Sequence, residues 1–300
     1  MAGWTTHCKE LKRSGTFRRA IAGAAFALSI AGCAATPPEP APETGDRSAR
    51  YAPGARQALL AWLNNEWRRF GKGRSGHVVD LRRVGPADPP RWPQGLSPEQ
   101  RLCGHIRTVY WTAVGSPERS ELAPVASRRP DDTPICDNAW SAAFVSGALH
   151  VAGVQARDFR FDAQHSIYLK DILRRYRAWQ MAPDRHPMPL FVPHPLETRI
   201  PQAGDLICAT RRRESEAVLR VLFLPDGPGA AAAWDAAMGG MEFGHCDFVV
   251  AVDSRRRLLR AIGGNVQDTV AMSLIPLDGR GHLIRTIERP WFIVVENRLP

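Results

Sequence analysis

A change of hydrophobic period along the chain constrains the fold more than any other feature. Upstream of residue 180, apolar residues recur at helical spacing. Leu59, Leu63, Trp67 and Phe70 mark a helix starting near Ala55, and Leu102, Ile106, Val109 and Tyr110 mark one over 98–114. "PICDNAWSAAFVSGALHVAGV" (134–154) is a third, rich in small residues and capped by Asp137 or Asn138. A fourth covers about 164–180, with Ile167, Leu173 and Tyr176 facing inward. Downstream the period shortens to that of strands: "GDLICAT" (204–210), "CDFVVAVD" (246–253), "RLLRAIGG" (257–264), "TVAMSLI" (269–275) and "WFIVVENR" (291–298). Helices followed by closely spaced strands predict an α+β fold, with helices packed on a central antiparallel sheet. The Pro- and Gly-rich stretch 71–97 reads as mostly irregular. Residues 211–243 are too long for a hairpin loop and read as an insertion or lid.

The first 54 residues have another character. Lys9, Lys12, Arg13, Arg18 and Arg19 precede an apolar run from Ala20 to Ala31, too short to span a bilayer comfortably. The run ends in Ile30-Ala31-Gly32-Cys33, which resembles a bacterial lipobox. Residues 1–32 are therefore expected to be a lipoprotein signal peptide and Cys33 the lipidated residue. Residues 33–54 would form a Pro-rich tether, and 55–300 a single domain. Ala34 follows the cysteine in place of an aspartate, which fits periplasmic-side anchoring at the outer membrane.

Formal net charge is +10; removing residues 1–32 takes five basic groups and Glu10 and leaves about +6. Only Lys9, Lys12, Lys72 and Lys170 among the 40 basic residues are lysines, a bias better explained by coding than by a nucleic-acid surface. The "RRR" runs at 211–213 and 255–257 read as solvated loops, so no nucleic-acid partner is expected. His150, His165, His194 and His245 with Asp247 lack metal-motif spacing, and neither a metal nor a cofactor is expected.

A hairpin turn centred on Arg255 sets His245 opposite Asn265 on one face of the sheet. A carboxamide there accepts a hydrogen bond from one imidazole N–H and orients the ring. The ordered set of Trp-Ser on a small-residue helix, Gly-Asp-Leu opening a strand, Gly-His opening the next and Gly-Gly-Asn after another resembles papain-like cell-wall peptidases and amidases of the NlpC and CHAP type. The chain also resembles an uncharacterised family of bacterial lipoproteins, domain of unknown function 2272. That likeness runs through "AWSAAFVSGALHVAGV", "FDAQHSIYL", "GDLICATRR", "HCDFVVAVD", "IGGNVQDTV" and "PWFIVVENR".

The first resemblance implies a papain-like fold with Ser141 at the nucleophile position, His245 as base and Asn265 as its orienter. Trp140, Asp205 and His165 would line the groove. Serine stands where those enzymes carry cysteine, and a hydroxyl is a far weaker acid than a thiol. The expected function is accordingly an envelope lipoprotein whose groove binds peptidoglycan peptides with little or no hydrolysis. An active serine-variant hydrolase or amidase, and a scaffold for an envelope protein, are the alternatives. Of the six cysteines, Cys8 leaves with the signal and Cys33 carries lipid. The strand arrangement favours Cys208 with Cys246, and Cys103 then pairs with Cys136; three connectivities are formally open.

Overall fold

A computed structural model describes residues 45–71, 76–82, 101–115, 139–210, 216–223, 229–240, 243–285 and 289–300. Cys33, the signal and most of the tether lie outside these residues, as do Cys136, Asp137 and Asn138.

Helix α1 (Ala55–Phe70) opens after Gly54, whose φ of 89° is one that glycine adopts without strain. Its inward face carries Leu59, Leu63 and Phe70, all essentially inaccessible, and one charged residue, Glu66. The second helical segment is broken into three short turns: α2 (Cys103–His105), a π turn over Ile106–Tyr110 and a 3-10 turn over Trp111–Val114. Thr108 and Thr112 each bond back to the carbonyl four residues earlier, a side-chain competition that disturbs regular helix. Helix α3 (Ser141–Val151) begins directly at Ser141, and the flanking Trp140 supplies no side-chain cap. The expected cap at Asp137 or Asn138 is thus not the residue flanking this helix. Helix α4 (His165–Met181) buries His165, Tyr168, Leu169, Ile172 and Leu173, so Leu173 faces inward as expected while Ile167 and Tyr176 are only half-buried.

Among the described residues seven strands form one sheet: β1 (His77–Asp80), β2 (Phe191–Pro195), β3 (Leu206–Thr210), β4 (Phe243–Asp253), β5 (Leu258–Gly263), β6 (Ala271–Pro276) and β7 (Trp291–Asn297), ordered β1-β6-β5-β4-β3-β7-β2. All pairs are antiparallel except β1 with β6. The five strands read from the sequence are β3 to β7, and the two unanticipated strands are the edges. β1 has four residues within the stretch expected to be irregular. β2 is "FVPHP", whose prolines hide it from a pattern reading and are tolerated at an edge.

The helices share a large core with Leu206, Cys208, Phe248, Ile262, Ile293 and Val295. A smaller core holds Ile207, Val249, Ala261, Ile275 and Val294. The 211–243 insertion contains helices α5 (Glu216–Val221) and α6 (Ala230–Gly240), which place Leu219, Trp234 and Met238 in the large core, joined by Leu222 just after α5. The Arg177 guanidinium of α4 lies over the Trp234 ring, 4.8 Å from its centroid.

Candidate functional site

One end of the sheet gathers the start of β4 and the end of β5 with the end of β3 and the start of β7 through their pairings. The β4–β5 hairpin keeps the expected pairing where Phe248 faces Ile262 and Val249 faces Ala261. A bulge between Val249 and Ala251 shifts it by one residue nearer the turn, where Asp253 faces Leu258. β5 ends at Gly263, and Asn265 turns away with φ of 55°.

That turn removes Asn265 from the role assigned to it. Its side-chain oxygen is buried with no hydrogen-bond partner among the described residues. The partner of His245 is Asp247: Nε2 lies 2.6 Å from the Asp247 carboxylate. Residues two apart on a strand share a face, so "HCD" brings the two together without any turn. Both are buried, Asp247 completely. Burial alone would raise the Asp247 carboxyl. The charge of His245 and its hydrogen bond, with the more distant Arg289, outweigh burial and hold the carboxyl below its ordinary value. Gly263 is required beside this pair, because a Cβ there would sit 1.7 Å from a carboxylate oxygen of Asp247.

The second correction concerns Ser141, whose hydroxyl meets His165 and not His245: Oγ lies 2.7 Å from His165 Nε2. Local structure explains the approach. Ser146 of α3 donates to the Asp162 carbonyl at 2.8 Å and accepts the Asp162 N–H at 3.1 Å. The Asp162 carboxylate in turn accepts the Gln164 N–H just before α4, so α4 starts with His165 aimed at the start of α3. Tyr168, three residues on and on the same helical face, bonds the other ring nitrogen, Nδ1. The His165 and His245 rings meet edge to face, 5.5 Å between centroids. The site is therefore two adjoining units, Ser141–His165–Tyr168 and His245–Asp247.

Protons in the first unit follow from burial. Burial, then the Asp247 charge, push the Tyr168 phenol well above its ordinary value, so it stays protonated. Its only hydrogen-bond partner among the described residues is His165 Nδ1. A buried hydroxyl proton needs an acceptor, so the phenol donates to Nδ1. In that arrangement a neutral imidazole holds its own proton on Nε2 and donates it to Ser141 Oγ. A general base for Ser141 would need the opposite tautomer.

Two expected groove residues have other duties. Trp140 is fully buried, stacked on Phe70 and Tyr110 with centroid separations of 5.6 Å each. Behind it the Glu66 carboxylate holds Tyr110 Oη at 2.5 Å and His105 Nε2 at 2.6 Å. Burial opposes ionisation of Glu66, and these hydrogen bonds overcome it and lower the carboxyl below its ordinary value. Asp205 is likewise fully buried: it accepts the backbone N–H groups of Gln202 and Asn297 and pairs with Arg199 at 3.1 Å. Burial raises its carboxyl in spite of those contacts. Asp205 thus ties β3 to β7 and does not line the site. His165 is the one groove candidate found within it.

Gly264 receives the start of α3, since a Cβ there would lie 2.4 Å from Phe144 Cβ and 2.9 Å from the Trp140 ring. Gly147, on the same helix, abuts the π turn, with Tyr110 Cα 2.9 Å from the position of a Cβ. These contacts explain the small residues of α3. Cys208 and Cys246 face each other on β3 and β4 and are disulfide-bonded, their Cα atoms 4.2 Å apart. Cys103 is also disulfide-bonded; Cys136, expected to pair with it, is not among the described residues. Of the remaining histidines, His150 packs against Phe161 and His194 bonds Glu296 across β2 and β7. Among the described residues no group of three or more His, Cys, Asp or Glu is placed to hold a metal ion.

Tyr168 was missed in the sequence, and Asp247 was weighed there only as a metal ligand and not as the partner of His245. His-x-Asp on a strand and His-x-x-Tyr at a helix start were the available signals.

Residues 109–297 match the model of a family described as an uncharacterized protein conserved in bacteria (DUF2272). The chain belongs to that family. The matched span holds every member of both units, from Ser141 to Asp247, and the family marks the protein as bacterial. No curated protein and no solved structure matches the chain. Among the described residues no helix is long and apolar enough to cross a membrane.

Proposed function

We propose that this protein is a lipid-anchored envelope lipoprotein whose papain-like groove binds peptidoglycan peptides without hydrolysing them. The observation that carries the reading is the hydrogen-bonded chain from Tyr168 through His165 Nδ1 and Nε2 to Ser141 Oγ. A phenol proton donated to Nδ1 leaves a neutral His165 as donor to the serine and not its base. A hydroxyl in that position is suited to hydrogen-bonding a bound peptide, whereas serine nucleophiles require a neighbouring base to take the proton. The His245–Asp247 pair supplies a second polar group at the same end of the sheet.

Motif order supports the papain-like assignment: a small-residue helix opening on Ser141, then Gly204-Asp205 just before β3, then Gly244-His245 at the start of β4. Attachment through Cys33 would place the domain on the periplasmic side, at the outer membrane.

The active-serine reading has its own support, the short contact of 2.7 Å between Ser141 and an imidazole. Purified residues 34–300 mixed with cell-wall sacculi separate the readings. Co-sedimentation without release of soluble muropeptides is expected. Release that Ser141→Ala abolishes would make the protein a hydrolase. Failure to sediment would remove peptidoglycan as ligand and favour an envelope protein partner. For the anchor, Cys33→Ser should leave the membrane fraction and lose lipid labelling; an unchanged distribution would overturn that part.

A further inference from the structure

The chain that leads from Cys33 is fastened to the domain well before α1. Asp46 forms a parallel bridge with Met188 and pairs with Arg298, and the Met188 N–H donates to the Gly45 carbonyl at 3.2 Å. Arg47 donates to the Arg157 carbonyl and to the Asp158 carboxylate, which also accepts the Tyr51 hydroxyl at 2.7 Å. Asp158 is buried, and charge-assisted bonds to a buried carboxylate make this strap, residues 45–51, a firm attachment. The same Arg157 carbonyl accepts a bond from Arg175 of α4 at 2.5 Å, which sets the strap alongside the second half of that helix. Gly45 follows Cys33 by twelve positions, a span of at most about 43 Å by covalent geometry.

The outward face of α4 beside the strap is basic. Tyr168, Leu169, Ile172 and Leu173 face the core, and Arg174 and Met181, two turns apart, lie on the opposite side. Both are exposed, Met181 by 63%. Lys170 and Arg177 flank Arg174 at helical spacing. The turn after α4, closed by the Arg185 N–H on the Ala182 carbonyl, adds an exposed Arg185. The acids on this stretch are Asp171, paired with Arg175 at 2.6 Å, and Asp184. A lone exposed methionine is ordinary. Set among cations on an outward helix face, it has the character of an interfacial contact, with the apolar group toward acyl chains and the cations at phosphates.

We propose that this face, from Arg174 to Arg185, lies on an anionic phospholipid surface, that of the membrane to which Cys33 is tied. The nearness of that surface rests on the anchoring reading, because the strap is pinned at Met188, three residues beyond Arg185, and the fixed end of the tether adjoins the basic face. Salt screens exposed charges over about 8 Å at physiological ionic strength. The contact therefore orients an anchored domain and does not hold a free one, so Cys33→Ser still leaves the membrane fraction.

Residues 34–300, which lack the lipidated cysteine, test the face by co-sedimentation with vesicles at about 50 mM salt, where screening is weaker. Binding to vesicles of phosphatidylglycerol and phosphatidylethanolamine is expected, with partition onto pure phosphatidylcholine about tenfold or more weaker. Arg174→Gln combined with Arg185→Gln should reduce the anionic partition about tenfold or more. Met181→Ser should reduce it severalfold. Arg255→Gln combined with Arg256→Gln removes equal charge from the exposed β4–β5 turn and should change it by less than about threefold. All the substituted side chains are exposed, and thermal unfolding should show folded variants. Absence of vesicle binding, equal binding to both vesicle types, or equal losses from the two double variants would overturn the proposal. Sacculus binding that the Arg174–Arg185 variant loses, without any vesicle binding, would assign the face to peptidoglycan and overturn it as well. Vesicle binding by the unlipidated chain tests the face alone and fractionation of Cys33→Ser tests the anchor alone, so failure of one is distinct from failure of the other.

Discussion

At Ser141 a hydroxyl, an imidazole and a phenol share their protons, and burial decides where each proton rests. Tyr168 is wholly inaccessible and bonded to His165 Nδ1, while Ser141 is half-buried. The phenol therefore directs the tautomer. Imidazole 15N spectra near pH 7 should show His165 protonated at Nε2 and bare at Nδ1. A bare Nε2 would reverse the bond to Ser141 and restore a general base. His245 is organised differently, by a carboxylate whose ordinary value is lowered in the folded chain. Such a carboxylate contributes stability that is fully present above its unfolded value of about 3.9 and is lost as pH falls through the lower folded value. Asp247→Asn should cost about 3 kcal/mol near neutrality, and the gap from the natural protein should shrink as pH drops below about 4. Urea titrations across that range measure it, and a gap independent of pH would mean that the ion pair contributes nothing.

Between elements, the contacts that shape the site are made by residues with no side chain in the way. Gly263 lies beside the His245–Asp247 pair and Gly264 beside Trp140 and Phe144, so adjacent residues serve a strand and a helix in turn. An alanine at Gly263 would place its Cβ 1.7 Å from the Asp247 carboxylate, a separation that forces either the carboxylate or β5 to move. Gly263→Ala is expected to destabilise the fold by about 2–4 kcal/mol, measured by urea unfolding. It should also broaden or shift the His245 ring resonances. Full stability would mean that β5 can retreat from β4 at no cost. A pattern reading finds the strands around this point because alternation and β-branched residues are local signals. It misses β2 because Pro193 and Pro195 contradict strand propensity, and only an edge position beside β7 makes them acceptable.

Across the whole molecule the insertion is part of the fold. It contributes Leu219, Leu222, Trp234 and Met238 to the large core, and the Cys208–Cys246 bond links residues 38 apart around it. Closing a loop of that length restricts the unfolded chain and contributes about 3–4 kcal/mol in the chain-entropy account. Replacing both cysteines by alanine should lower the unfolding free energy by about that amount while leaving the helical and strand content unchanged. An unchanged midpoint would show that the insertion packs equally well without the link. Much of this architecture was legible in advance. The mixed α+β class, five of the seven described strands, the placement of Cys208 beside Cys246 and the position of His245 at a strand start all follow from period and spacing, whereas β1 among the early helices and the two helices inside the insertion do not.

What the sequence determined by itself, then, is the set of segments and which of them carry Ser141, His165 and His245, because helical and strand periods are properties of neighbouring residues. Tertiary structure alone decided who bonds whom. The serine meets His165 because Ser146 and Asp162 tie the approach to α4 against α3, a contact between segments that periodicity does not relate. Asp247 replaces Asn265 because β5 ends at Gly263 and the following turn carries Asn265 into a left-handed conformation with its oxygen buried. Pairing partners at the end of a strand depend on where the ladder stops, and here the chain beyond it packs against Trp140 and Phe144 at Gly264.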